Sequence, residues 1–237
     1  MQSDPGIVPA VERHTGPAQE PPVVGYIGDS ISEQNFVVPA TTAFLTANAS
    51  PAGSISAINR GASGRTTRSW LPSGVGSEAG LLSNAEAAFN AAGVTIVSIM
   101  LGTNDSKITE NIDKASYKAN LVTIIDHLFA NVPTLRKVVL QYAASPTTTY
   151  SGNGDFANSP ISGYTRVLQY HAAVEEILAT SGYSGRVYGS SRSGYDLYAA
   201  NPPLLPDGIH PVAGESASVL AHAWAQGISS ALAETDL

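Results

Sequence analysis

Five positions carry side chains or backbone groups of the types that acyl transfer needs. Ser30 follows the apolar run at 23–27 and the pair Gly28-Asp29. A serine hydroxyl is a weak nucleophile until a base takes its proton and donors hold the oxyanion that forms. Asp207-Gly208-Ile209-His210 places an acid three residues before an imidazole. His210 would take the Ser30 proton and return it to a leaving alcohol. Asp207 would bond the other ring nitrogen, fixing the tautomer and stabilising the imidazolium. The oxyanion would be held by the Ser30 N–H, the Gly64 N–H and the side-chain amide of Asn104. Losing one such donor typically costs about 10²–10³ in rate. Together these groups suit attack on an ester carbonyl.

The elements around these residues decide whether they can meet. The run at 23–27 reads as a buried strand ending in a tight turn. Residues 54–58 alternate apolar and polar and run into the loop 59–67, which carries Gly61 and Gly64. Residues 94–101 form a near-continuous apolar strand of the kind buried on both faces, ending in Gly102-Thr103-Asn104-Asp105. Strands are also expected at 137–142 and 186–188. Helices are expected at 39–48, 78–92, 115–130, 164–180 and 214–232, several with apolar residues at helical spacing. Strands alternating with helices, without hairpin signals or internal repeats, indicate an α/β fold: a five-stranded parallel sheet in a three-layer α/β/α sandwich. Ligands bind beyond the carboxyl ends of such strands. Ser30, Gly64 and Asn104 each follow a strand, so they share one edge of the sheet. The segment 144–163 is long and polar, which marks a functional or disordered loop. Its Tyr150 and Phe156 are candidates for a substrate wall.

Composition narrows the partners. The chain has 237 residues, 43% hydrophobic, enough for a sizeable single core. Its net charge of −7, with no basic cluster, argues against nucleic acid and anionic membrane surfaces. No apolar run approaches the roughly 18 residues of a membrane span. Without cysteine, disulfides and thiolate chemistry are excluded. His14, His127, His171 and His222 lack metal-ligand spacing, and no cofactor is expected. Residues 1–22, with five prolines, read as an extended arm or linker before a domain at 23–237. Four lysines and a Ser/Thr/Ala/Gly bias favour a secreted or periplasmic protein, its signal removed, over a cytoplasmic one. The sequence does not set the oligomeric state.

Gly-Asp-Ser at 28–30, the glycine at 64, Gly-Thr-Asn-Asp at 102–105 and Asp-Gly-Ile-His at 207–210 resemble the four sequence blocks of the SGNH hydrolases, the GDSL-type esterases and lipases. They occur in that family's order and span nearly the whole chain from residue 25. The resemblance implies a flavodoxin-like fold and a metal-free ester or thioester hydrolase. It assigns Ser30 as nucleophile, His210 as base, Asp207 as its orienting acid, and Gly64 and Asn104 as oxyanion donors. Gly64 is preferred to Gly61 because it lies five residues after Asn59, as in the family's second block. Gly64-Arg65-Thr66-Thr67 is similar to what some aryl- and carbohydrate-esterase branches carry. Ile31 stands where many relatives have leucine. The Gly-x-Ser-x-Gly elbow of α/β-hydrolases is absent, as is the Gly-x-Gly-x-x-Gly of dinucleotide-binding dehydrogenases. Asp29 and Arg65 join Tyr150 and Phe156 as substrate-binding candidates, and Arg68 flanks the same loop. The expected substrate is an ester of a small acyl group, an O-acetyl carbohydrate or a small aryl or alkyl ester, because no large apolar lid is visible. The alternatives are a lipase, acyl thioesterase or acyltransferase, and a catalytically silent carbohydrate-binding domain on the same scaffold. The complete Ser-Gly-Asn-Asp-His set weighs against the silent domain.

Overall fold

The computed structural model describes residues 21–48, 54–74, 79–144 and 163–234. In β1 (Val23–Gly28) successive side chains point to opposite faces. Val24 and Tyr26 enter one apolar layer and Ile27 the other. Gly25 lets an aromatic ring rest on the strand itself, since a Cβ there would lie 2.7 Å from Phe89 Cε1. β2 (Ser56–Asn59), β3 (Ile96–Met100), β4 (Lys137–Leu140) and β5 (Val187–Gly189) complete one sheet in the order β2-β1-β3-β4-β5. Every pairing is parallel, with Val24 opposite both Ala57 and Ile96. All five residues of β3 are buried, Ser98 included, as its near-continuous apolar run predicts.

Helices cover both faces. α3 (Leu81–Ala92), α4 (Lys114–Asn131) and α5 (Gly163–Leu178) lie on one, packing Phe89, Leu121, Ile125, Tyr170 and Val174 against Ile27, Val97, Ile99 and Val138. α2 (Val37–Asn48), α6 (Ser193–Ala200) and α7 (Glu215–Ala233) lie on the other, packing Leu45, Tyr198, Leu220 and Trp224 against Tyr26, Ile96, Met100 and Val139. A one-turn helix, α1 (Ser30–Glu33), leads from β1 towards α2. α2 and α7 run side by side, the Phe44 ring meeting the His222 ring edge-on at 4.5 Å. At the far end of α7 the buried Lys137 ammonium donates to the carbonyls of Ala231, at 2.8 Å, and Glu234. These are among the last carbonyls of the helix, which lack intrahelical partners, and a cation there also suits the helix dipole.

The result is the expected α/β/α sandwich. The chain leaves β1 over one face, through α2, and leaves β3 over the opposite face, through α4. That divergence opens a crevice at the carboxyl edge between β1 and β3. Two elements, α1 and α6, have no counterpart among the sequence expectations. No helix of the described residues is long and apolar enough to cross a membrane.

Candidate active site

Asp29 starts the serine side of the crevice. Its Oδ1 accepts from the Ile31 N–H at 3.0 Å, the N-cap arrangement that turns the chain into α1. Ser30 is therefore the first residue of a helical turn at the end of β1. Gly28 permits that turn, because a Cβ there would fall 2.0 Å from Ser32 Oγ. Ser30 is only 9% exposed. Its Oγ lies 2.8 Å from His210 Nε2.

The histidine side is built from one short loop. Asp207 Oδ1 accepts from the backbone N–H groups of Ile209, at 2.9 Å, and His210, at 2.7 Å. This is the turn an aspartate makes with the amides just after it. Asp207 Oδ2 lies 2.7 Å from His210 Nδ1. A carboxylate accepts, so Nδ1 carries the proton and Nε2 presents a lone pair to the Ser30 hydroxyl. Partial burial pushes the Asp207 carboxyl up, but the bonds from His210 and Ile209 outweigh it and hold the group below the usual aspartate range. It is thus ionised at neutral pH.

Two more loops close on the same edge. Ala62 to Arg65 form a turn, with the Arg65 N–H on Ala62 O at 3.4 Å. Gly64 holds a φ of +74°, a conformation glycine adopts without the penalty other residues incur. Gly64 is exposed, whereas Gly61 packs against α1, where a Cβ would lie 2.6 Å from the Glu33 nitrogen. Asn104, buried at the end of β3, donates from Nδ2 to Arg65 O at 3.2 Å. The structure thus draws the Gly64 loop and the Asn104 loop together.

The GDSL-like Lipase/Acylhydrolase family model matches residues 26–213, which contain all four sequence blocks. The chain belongs to this family. As a GDSL-like member it is a carboxylic ester hydrolase. Its fold is shared with an acetylxylan esterase from Geobacillus stearothermophilus, at TM-score 0.62 and 20% identity, covering 88% of this chain and 94% of that one. Catalytic mutants of that esterase carry alanine at a serine, an aspartate and a histidine, the last two three positions apart. An α/β hydrolase from the metagenome of Lake Arreo, Spain, aligns at TM-score 0.61 and 19% identity, over 88% of this chain and 96% of its own. No curated protein sequence matches the chain.

Beneath the GDSL-type site lie two buried acids. Asp105 accepts from the Thr67 N–H at 3.0 and 3.1 Å and from the Thr67 hydroxyl. Asn120 of α4 donates to that same hydroxyl at 3.0 Å. Asp105 and Thr67 therefore fasten the loop after β2 to the loop after β3. Burial raises the Asp105 carboxyl to about 6, against the lowering effect of Thr67. Burial likewise raises Asp29 to about 7, and the Asp105 charge adds to the effect. Asp29 has no exposed surface. It is consequently a buried cap for α1, the loop-bonding role, rather than the substrate contact also considered for it. The signal for Thr67 was present in the sequence only indirectly: an aspartate next to Asn104 must find donors, and a threonine pair follows Gly64.

Arg65 is half-buried beside the site, while Arg68 is exposed and reaches Glu110 O at 3.5 Å. Tyr150 and Phe156 lie outside the described residues. His127 bonds Glu86 at 2.6 Å across α3 and α4, and His222 bonds Ser218 O within α7. His171 is buried between the rings of Tyr142 and Tyr195, and burial lowers its imidazole to about 4. No group of three or more His, Asp or Glu side chains converges among the described residues.

Proposed function

We propose that this esterase removes short acyl groups, acetyl foremost, from carbohydrate esters through an acyl-enzyme on Ser30. The observation that carries the reading is the hydrogen-bonded line Ser30 Oγ, His210 Nε2, His210 Nδ1, Asp207 Oδ2, with contacts of 2.8 and 2.7 Å. Ser30 Oγ attacks the acyl carbon as its proton passes to His210 Nε2. Asp207 stabilises the imidazolium without taking the proton. The oxyanion is held by the N–H groups of Ser30 and Gly64 and by the Asn104 amide, whose second N–H is free of Arg65 O. Collapse breaks the ester C–O bond, and His210 returns the proton to the leaving alcohol. Water, deprotonated by His210, then releases the acid and restores Ser30. A Ser, Asp and His set is mutated in the structurally similar acetylxylan esterase, with the same spacing between Asp and His. That similarity, with the polar composition of segment 144–163, favours a sugar alcohol and a short acyl group.

The test is hydrolysis of chromogenic esters from acetyl to long acyl, wild type beside Ser30→Ala, followed by acetylated xylooligosaccharides. Cleavage that falls with acyl length and vanishes in the variant is expected. Persistent cleavage by folded Ser30→Ala would overturn the nucleophile. A preference for long acyl groups would replace the reading with a lipase or thioesterase. Failure of folded wild type on every ester would favour a carbohydrate-binding domain.

A further inference from the structure

Four large apolar side chains are exposed among the described residues, Phe36, Leu197, Val212 and Leu232. Single exposed apolar residues are ordinary. Phe36 and Val212 differ by position. Phe36, 40% exposed, stands six residues past Ser30, and Val212, 45% exposed, two past His210. One lies on the segment leaving the serine and the other on the segment leaving the histidine.

Helix packing sets these two residues level. Phe44 lies seven residues after the first residue of α2, and His222 seven after the first residue of α7. Their rings touch. Both helices follow segments at the carboxyl edge and run away from it, so rising equally per residue to that contact they start at about the same height. Both start at the carboxyl edge, where Ser30 and His210 meet. Phe36, directly before α2, and Val212, three residues before α7, therefore flank that edge together. Their backbones are fixed. The Phe36 N–H donates to Gln34 O at 2.8 Å, and Phe36 O accepts from Ala40 at 3.3 Å. The Val212 N–H donates to Ser216 Oγ at 3.2 Å, and Val212 O accepts from Ala217 at 3.0 Å. Beside Phe36 come two amides, the half-buried Gln34 and the exposed Asn35.

A partly exposed aromatic ring preceded in the chain by two amide side chains suits one kind of ligand. A sugar ring lays its C–H face on the aromatic and offers hydroxyls to the amides. A long acyl chain would need an enclosed apolar channel instead. We infer that Gln34, Asn35, Phe36 and Val212 form a subsite for the alcohol part of the ester, with a pyranose ring stacked on Phe36. The inference rests on the carbohydrate-esterase reading and extends it to named residues.

Steady-state hydrolysis of acetylated xylooligosaccharide and of ethyl acetate, followed by acid release, tests the subsite. Wild type, Phe36→Ala and Phe36→Trp are compared, with melting curves to confirm folding. Phe36→Ala should raise KM for the oligosaccharide about tenfold and leave its kcat and the ethyl acetate reaction within about twofold. Phe36→Trp should restore the low KM. If wild type prefers the oligosaccharide and Phe36→Ala keeps that KM, the subsite is wrong while the carbohydrate reading stands. If wild type handles the oligosaccharide no better than ethyl acetate, the carbohydrate reading falls and takes the subsite with it.

Discussion

The serine side and the histidine side of the site are held by different physics. On the serine side, Asp29, Thr67, Asn104 and Asp105 are all buried, and bonds run between loops distant in sequence. On the histidine side, the Asp207 side chain is 55% exposed and is held by amides two and three residues away. A buried acid is costly to leave unpaired, whereas an exposed one is screened by water. Damage to the buried support beneath the serine should therefore reach the fold, and damage to Ser30 itself or to the histidine side should stay in the chemistry.

Substitutions of the proposed reacting groups give the sharpest form of this contrast. Ser30→Ala and His210→Ala should each lower kcat by about 10⁶, with melting temperatures close to wild type. Asp207→Asn should cost about 10⁴, because the amide offers its N–H to Nδ1 and favours the wrong tautomer. It too should leave the melting temperature unchanged, and a loss of several degrees would erase the contrast. Thr67→Val should behave the other way. Removing its hydroxyl strands Asp105 and Asn120, an effect on the order of 1–3 kcal/mol, or several degrees of melting temperature. Its kcat should fall about tenfold as the Gly64 loop loosens, and Thr67→Ser should recover both. The smallest effect concerns pH. Asp29 is raised from 3.8 to about 7. The folded state therefore holds a proton that the unfolded state has released, and the stability this confers is lost as pH rises through about 7. Asp29→Asn should gain about 2–4 °C at pH 8 and nothing at pH 4. An equal change at both values would remove burial of the charge as the cause.

Legibility in the sequence followed the same division. The strands and long helices were readable because each carries its own apolar period; α4 spans Lys114–Asn131 where 115–130 was expected. α6 was not readable. Its sequence, SGYDLYAA, has weak helix formers, and it is held by Tyr195 and Tyr198, both buried, with Tyr198 bonding Ser216 O at 2.6 Å. α1 was hidden for a related reason, since a single turn depends on one cap, Asp29. Within the site, the contact of Asp207 with His210 is local, yet their three-residue spacing gained weight only from the blocks upstream. Ser30 needed the order of the blocks, its partner being 180 residues away. Asp29 stood between a loop-bonding role and a substrate contact because nothing in a sequence separates a carboxylate facing solvent from one under a helix start.

The Lys137 clasp on α7 gives the site a mechanical dimension. α7 has 19 residues, a rod of about 28 Å. The chain that enters one end of the rod carries His210, side chains such as Leu220 and Trp224 pack its length against the sheet, and the Lys137 ammonium holds carbonyls at its other end. The loop bearing His210 therefore leaves from a rod that is packed along its length and tied down at its far end.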